Sequence, residues 1–147
     1  MSREKKIGTN ELGSAIGNTL YDFSVDVQYD VIKLTDEYAD KMKKLIQEGA
    51  PVNKRKTKRR GKYKKSWRVK VTEDSLFVYE KTVCSPREYR LTHLLEKGHR
   101  APRGGSNVAA QPHIQPAADK IKKRYVKGIE KIVQNSRRAG GGRTKRP

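Results

Sequence analysis

The chain has 147 residues, 35% charged and 33% hydrophobic, with a formal net charge of +19 and one cysteine. That length suits a single domain with a core of moderate size; one cysteine excludes an intrachain disulfide and a CxxC zinc motif, and no apolar run approaches the roughly 20 residues that span a bilayer. So much like charge repels itself in a compact monomer and attracts the opposite sign, so nucleic acid or an acidic protein surface is the expected partner.

The N-terminal "MSREKK" is basic, but no apolar segment follows it, which argues against a secretory signal. Residues 1–22 carry Gly8, Gly13 and Gly17 without a sustained period and read as a flexible arm. Within them "GTNELGSAIG" lacks the lysine of a P-loop and the strand that precedes one. From Ser24 the pattern tightens: Val27, Val31, Leu34, Tyr38, Met42 and Leu45 form one helical face. Ser24 is a suitable N-cap, since its oxygen can accept an unpaired N–H of the first turn. Gly49 and Pro51 end the helix.

The segment "KRKTKRRGKYKK", residues 54–65, follows, with nine cations among twelve residues and no acid. A packed core cannot absorb it, so it is solvated or held against anions. Lys54, Arg55, Lys56, Lys58, Arg59, Arg60, Lys62, Lys64 and Lys65 are therefore the candidate DNA or polyanion contacts. Tyr63 is the only aromatic among them, too little for a base-stacking platform, and no zinc-finger or RRM signature is present. The contact expected is with backbone phosphate, without base specificity.

Trp67, Val69 and Val71 then alternate with Arg68, Lys70 and Thr72, the period of a half-buried strand. "EDS" at 73–75 makes a turn, and Leu76–Val83 supplies the partner strand of a hairpin. Pro86 closes it, and Tyr89–Lys97 predicts a short helix. Residues 98–113 read as a loop rich in glycine, proline and arginine. Pro116 opens a second long helix with the stripe Ala118, Ile121, Tyr125, Ile129 and Ile132, interrupted by Gly128. Residues 136–147, "SRRAGGGRTKRP", read as a basic flexible tail. The fold class expected is α+β: two long helices packed on a small, mainly antiparallel sheet, with an extended loop and flexible termini.

The side chains that could carry chemistry are few. His93, His99 and His113, with Cys84 and Glu96, are the only soft-ligand candidates, and their spacing matches no zinc pattern. "HLLEKGH" is not HExxH. A Cys84 nucleophile would need a histidine base and an orienting carboxylate, and nothing arranges His93 and Glu88 around it. The chain reads as non-catalytic, with no cofactor and no metal; the histidines read as packing or hydrogen-bonding groups.

The ordered blocks "GKYKKSWRVK", "YRLTHLLEKGH" and "QPHIQPA" before a basic helix resemble the head–tail joining family of long-tailed bacteriophages, described variously as neck, minor tail or tail-completion proteins. The resemblance covers about residues 24–135 and rests chiefly on "LTHLLEKGH" and "PHIQPA". It departs from the usual pattern at Arg60, where a threonine before Gly61 is expected. It implies an arm over 1–22, a head–tail joining domain over 23–135 and a tail over 136–147. It also implies a non-enzymatic virion protein that forms a ring, a hexamer or dodecamer, at the neck between the head connector and the tail tube. Its partners would be the head-closure and tail proteins and the DNA passing through the channel, with no membrane. A ring needs heterologous contacts between copies. On this resemblance the 98–113 loop becomes an interface arm, with His99, Arg100, Pro102, Arg103, Gly104, Gly105 and His113 as candidate subunit contacts. The alternative is a free-standing nucleic-acid-binding protein of ribosomal type, which the charge also fits.

Overall fold

The computed structural model describes residues 9–54, 58–75, 78–101 and 105–139. Four helices and two small hairpins follow one another in these segments. They are α1 (Thr9–Gly49), α2 (Lys62–Ser66), β1 (Arg68–Asp74), β2 (Tyr79–Cys84), α3 (Tyr89–Lys97), β3 (His99–Arg100), β4 (Asn107–Val108) and α4 (Ile114–Ala139). The α+β class holds, with the two long helices packed on each other and α1 also packed on β2.

The first helix corrects the expected start. It runs 41 residues, about 61 Å at 1.5 Å per residue, so residues 9–22 are helical rather than an irregular arm. Ser24 is no N-cap. It lies inside the helix, and its hydroxyl donates back to the Tyr21 carbonyl at 2.7 Å. Gly13 and Gly17 lie within the helix without breaking it, since each costs only about 1 kcal/mol relative to alanine.

Helix α4 runs back along α1. His113 lies against Gly49, Tyr125 meets Thr35 through a 2.9 Å hydroxyl contact, and the rings of Tyr125 and Tyr38 stand edge-to-face at 5.9 Å. Gly128 has its reason here: a Cβ at that position would lie 2.9 Å from Leu34 Cδ2, so the glycine lets the two helices close. Pro116 is the third residue of α4, in the first turn, where an N–H has no intrahelical acceptor in any case.

The β1–β2 hairpin pairs Arg68 with Cys84, Val69 with Val83, Lys70 with Thr82 and Val71 with Lys81. A bulge at Thr72 then shifts the register so that Glu73 faces Glu80 and Asp74 faces Tyr79. This corrects the simple alternation read from sequence. Trp67 is buried, immediately before the strand, and Val69 is half-buried, but Val71 is 54% exposed. The strand also runs on through Glu73 and Asp74, which were expected to form the turn, while Leu76 and Phe77 lie outside the described residues. Asp36 of α1 holds the hairpin from below, accepting from the Tyr79 hydroxyl at 2.7 Å and pairing with the Lys81 ammonium. That ammonium, hydrogen-bonded to Asp36, keeps the carboxyl below its usual range.

The core lies at one end of the molecule. Ile46 from the last turn of α1, Ala50 just beyond it, Tyr63 from α2, Trp67 before β1, and Ala117 from α4 form a buried cluster, with Met42, Leu45, Val83, Leu95 and Ile114 packed against it. The other half of α1 takes no part in this cluster: residues 16–26 are all exposed.

Candidate polyanion interface

The cationic run contains a folded element that composition alone conceals. Residues 58–60 form an exposed turn, and Gly61 takes a left-handed φ of +74°, which favours glycine. The Lys62 N–H donates to the Arg59 carbonyl and the Lys65 N–H to that of Gly61, both at 3.1 Å, starting α2. This short helix turns Tyr63 inward and leaves Lys62 and Lys65 in solvent, with Lys64 half-buried. An anchored aromatic thus fixes where the lysines point.

The anchor is a three-ring cluster. Tyr63 stands edge-to-face to Trp67 at 5.8 Å and to His113 at 5.5 Å between centroids. His113 is buried, with Nδ1 at 2.9 Å from the Gln111 carbonyl and Nε2 at 2.8 Å from the Tyr63 hydroxyl. A carbonyl can only accept, so Nδ1 carries a hydrogen, and in the neutral ring Nε2 then accepts from the Tyr63 hydroxyl. The ring is therefore spent inside the subunit.

Glu96 completes the junction. Its Oε2 accepts from the N–H of His113 at 3.0 Å and Ile114 at 3.2 Å, and its Oε1 from that of Gln115 at 2.9 Å. These groups open α4 and would otherwise lack partners, and Pro116 contributes no N–H. Burial alone would raise this carboxyl, but the three backbone donors outweigh it and hold it below the usual range. Glu96 thus caps α4 from the last turn of α3. Gly98 follows at φ +74°, and a Cβ there would lie 2.7 Å from the Val108 carbonyl oxygen and 2.9 Å from the Ala110 nitrogen. Only glycine fits between α3 and the returning strand. The Gln111 N–H donates to the Leu95 carbonyl at 2.7 Å, so the 98–113 segment is tied at both ends as a β3–β4 hairpin rather than a free loop.

Beside α2 lies a groove of about 400 Å³, lined by Lys62, Lys65, Ser66, Arg68, Pro86, Arg87 and Glu88. Four cations face a single acid. Arg68 Nη1 donates to the carbonyls of Lys65 at 2.8 Å and Trp67 at 2.9 Å, which steadies the guanidinium and leaves its remaining N–H groups available. Such a set suits phosphate or carboxylate oxygens. Ser66, in the groove's lining, shares a 2.5 Å hydroxyl contact with buried Ser85. Among the described residues no group of three or more His, Cys, Asp or Glu side chains could hold a metal ion, and no helix is long and apolar enough to cross a membrane.

The expected contacts divide accordingly. Lys54, Lys58, Arg59 and Arg60 are exposed outside the groove, Lys62 and Lys65 line it, and Arg55 and Lys56 lie outside the described residues. His99 is half-buried in β3, Arg100 and Gly105 are exposed, and Pro102, Arg103 and Gly104 lie outside the described residues. Arg68 and Arg87 were missed. Arg68 was read only as the outward side of a strand, and Arg87 reaches the groove because the pairing of Arg68 with Cys84 brings the "SPRE" turn alongside α2.

The family model described as "Bacteriophage HK97-gp10, putative tail-component" matches residues 14–98, more than half of the chain. The chain belongs to this family. The matched stretch begins inside α1 and ends on Gly98, so it takes in the tyrosine anchor, both groove arginines and the Glu96 cap of this phage tail component. Neither a curated protein nor a solved structure gives a significant match.

Proposed function

We propose that this phage tail component is a non-enzymatic structural protein that forms a ring at the head–tail neck, joins the connector to the tail tube and surrounds the DNA channel. The cationic groove and the turn before it carry the reading: Lys58, Arg59 and Arg60 are exposed on the turn, and Lys62, Lys65, Arg68 and Arg87 line the groove beside α2, which buried Tyr63 anchors. Contacts of this kind grip phosphate without reading bases, so duplex DNA can move past them. The β3–β4 hairpin supplies a candidate contact to the next copy through His99, Arg100 and Gly105, and by extension Pro102, Arg103 and Gly104. Its assembly site would be the cytoplasm of the infected bacterium, and its final place the virion.

Removal of the protein from an otherwise complete phage tests the role. DNA-filled heads and finished but unattached tails are expected to accumulate. Normal particles, or a defect confined to DNA replication or translation, would overturn the proposal in favour of a free-standing nucleic-acid-binding protein.

A further inference from the structure

Among the described residues, no other element buries α1 between Ile16 and Asp26, where every side chain is exposed. Gly128 faces Leu34, and the eleven residues of α4 beyond it reach back to about position 23 of α1 at equal rise per residue. The apolar stripe of α1 nevertheless continues past that point. Ile16, Leu20 and Phe23 extend the line of Val27, Val31 and Leu34 at helical spacing, and Ile16 and Leu20 are 52% and 63% exposed. On the opposite side Tyr21, Val25 and Tyr29 form a second stripe at four-residue spacing, the tyrosines 69% and 66% exposed. Exposed apolar side chains grouped in this way mark an interaction surface.

Charge says what buries it. Between Thr9 and Asp40 seven acids stand against one lysine, in a chain of net charge +19. Asp22, Asp26 and Asp30 lie at four-residue spacing as a ridge between the two apolar stripes, and they make no ion pair within the subunit among the described residues. The outer face of α4 carries the complement: Lys120, Lys123, Lys127 and Lys131 are exposed at spacings of three and four, likewise without an ion pair. Two copies of α1 lying together in an isologous pair would set aspartate ridges near each other, whereas a head-to-tail contact sets aspartate against lysine. The basic segment 136–147 could satisfy the aspartates, but with Ala139 and Pro147 as its only apolar residues it cannot cover Ile16, Leu20 and Tyr21.

We propose that residues 13–30 of α1 dock on a second copy of this chain, with Asp22, Asp26 and Asp30 against the Lys120–Lys131 face of the neighbour's α4. The inference rests on the ring of the proposed function and assigns it a repeating contact, each copy offering α1 on one side and α4 on the other. The full chain is mixed as nitrogen-14 and nitrogen-15 forms and cross-linked with a zero-length carbodiimide, alongside mass photometry across protein and salt concentrations. Cross-links between differently labelled copies are expected from the three aspartates to Lys120, Lys123, Lys127 or Lys131. Leu20→Glu, or Asp22, Asp26 and Asp30 changed together to lysine, is expected to abolish the oligomer with helicity and unfolding midpoint unchanged. Lys120, Lys123 and Lys127 changed together to glutamate are expected to restore it in the aspartate variant. Cross-links confined to one copy, or to the basic 136–147 segment, would overturn the proposal. Rings that form regardless of these substitutions would also overturn it but leave the ring reading standing, whereas a monomer under all conditions would sink both.

Discussion

Glu96 joins two stretches of chain that are far apart in sequence, accepting three consecutive N–H groups at the start of α4 from its place in the last turn of α3. A carboxylate among backbone donors makes charge-assisted hydrogen bonds, roughly twice as strong as neutral ones. Glu96→Ala strips the cap and leaves part-buried donors unmatched, so unfolding free energy should fall by about 1–3 kcal/mol in urea titrations. The pH dependence has a definite sign. Because the folded carboxyl lies below its ordinary value of 4.5, its contribution is complete above that value and is lost as pH falls through the folded one. Wild-type protein should therefore lose stability on acidification faster than Glu96→Ala, and parallel curves for the two would refute the cap. In the sequence this residue looked like a possible metal ligand. The pointer to its real role was an absence: "HIQP" opens a helix with none of the side chains that usually cap one, so the acceptor had to come from elsewhere.

At the scale of elements, what depends on local periodicity was legible and what depends on a distant partner was not. The stripes of α1 and α4 and the β1–β2 hairpin follow from spacing, and so does the end of α1 at Gly49. The start of α1 was also written in the chain, since Ile16, Leu20 and Phe23 keep the period, but glycines and a plausible serine cap obscured it. The bulge at Thr72 arises from pairing with β2, and α2 exists because Tyr63 finds Trp67 and His113, so neither could be read within its own window. The groove shares that origin, being closed by a turn twenty residues beyond the run. In the sequence Gly98 only opens the stretch rich in glycine, proline and arginine. Its left-handed φ and the backbone atoms around its missing Cβ make Gly98→Ala a strained substitution, expected to cost more than about 1 kcal/mol. Amide hydrogen exchange should show the loss concentrated in β3, β4 and the Gln111–Leu95 hydrogen bond; an unchanged exchange pattern would count against this pinning.

Among the described residues, α1 is acidic from Thr9 to Asp40 and half-bare, while a cationic turn and groove lie beside the core. If the cationic surface meets duplex DNA, binding by the isolated protein should fall steeply with salt, each neutralised phosphate adding roughly 0.9 to the slope of log affinity against log salt. Changing Lys58, Arg59, Arg60 and Lys62 together to glutamine should lower that slope by up to about 4 and leave the fold intact, since all four side chains are exposed. An unchanged slope with failed head–tail joining would assign the run to an acidic protein ring instead. Electron cryo-microscopy of the assembled particle tests the proposed role most directly. A closed ring of this chain between head connector and tail tube is expected, with α2 and the Lys62–Arg87 groove on the lumen facing DNA. A chain found singly, or a ring at the neck with that groove turned outward, would contradict it.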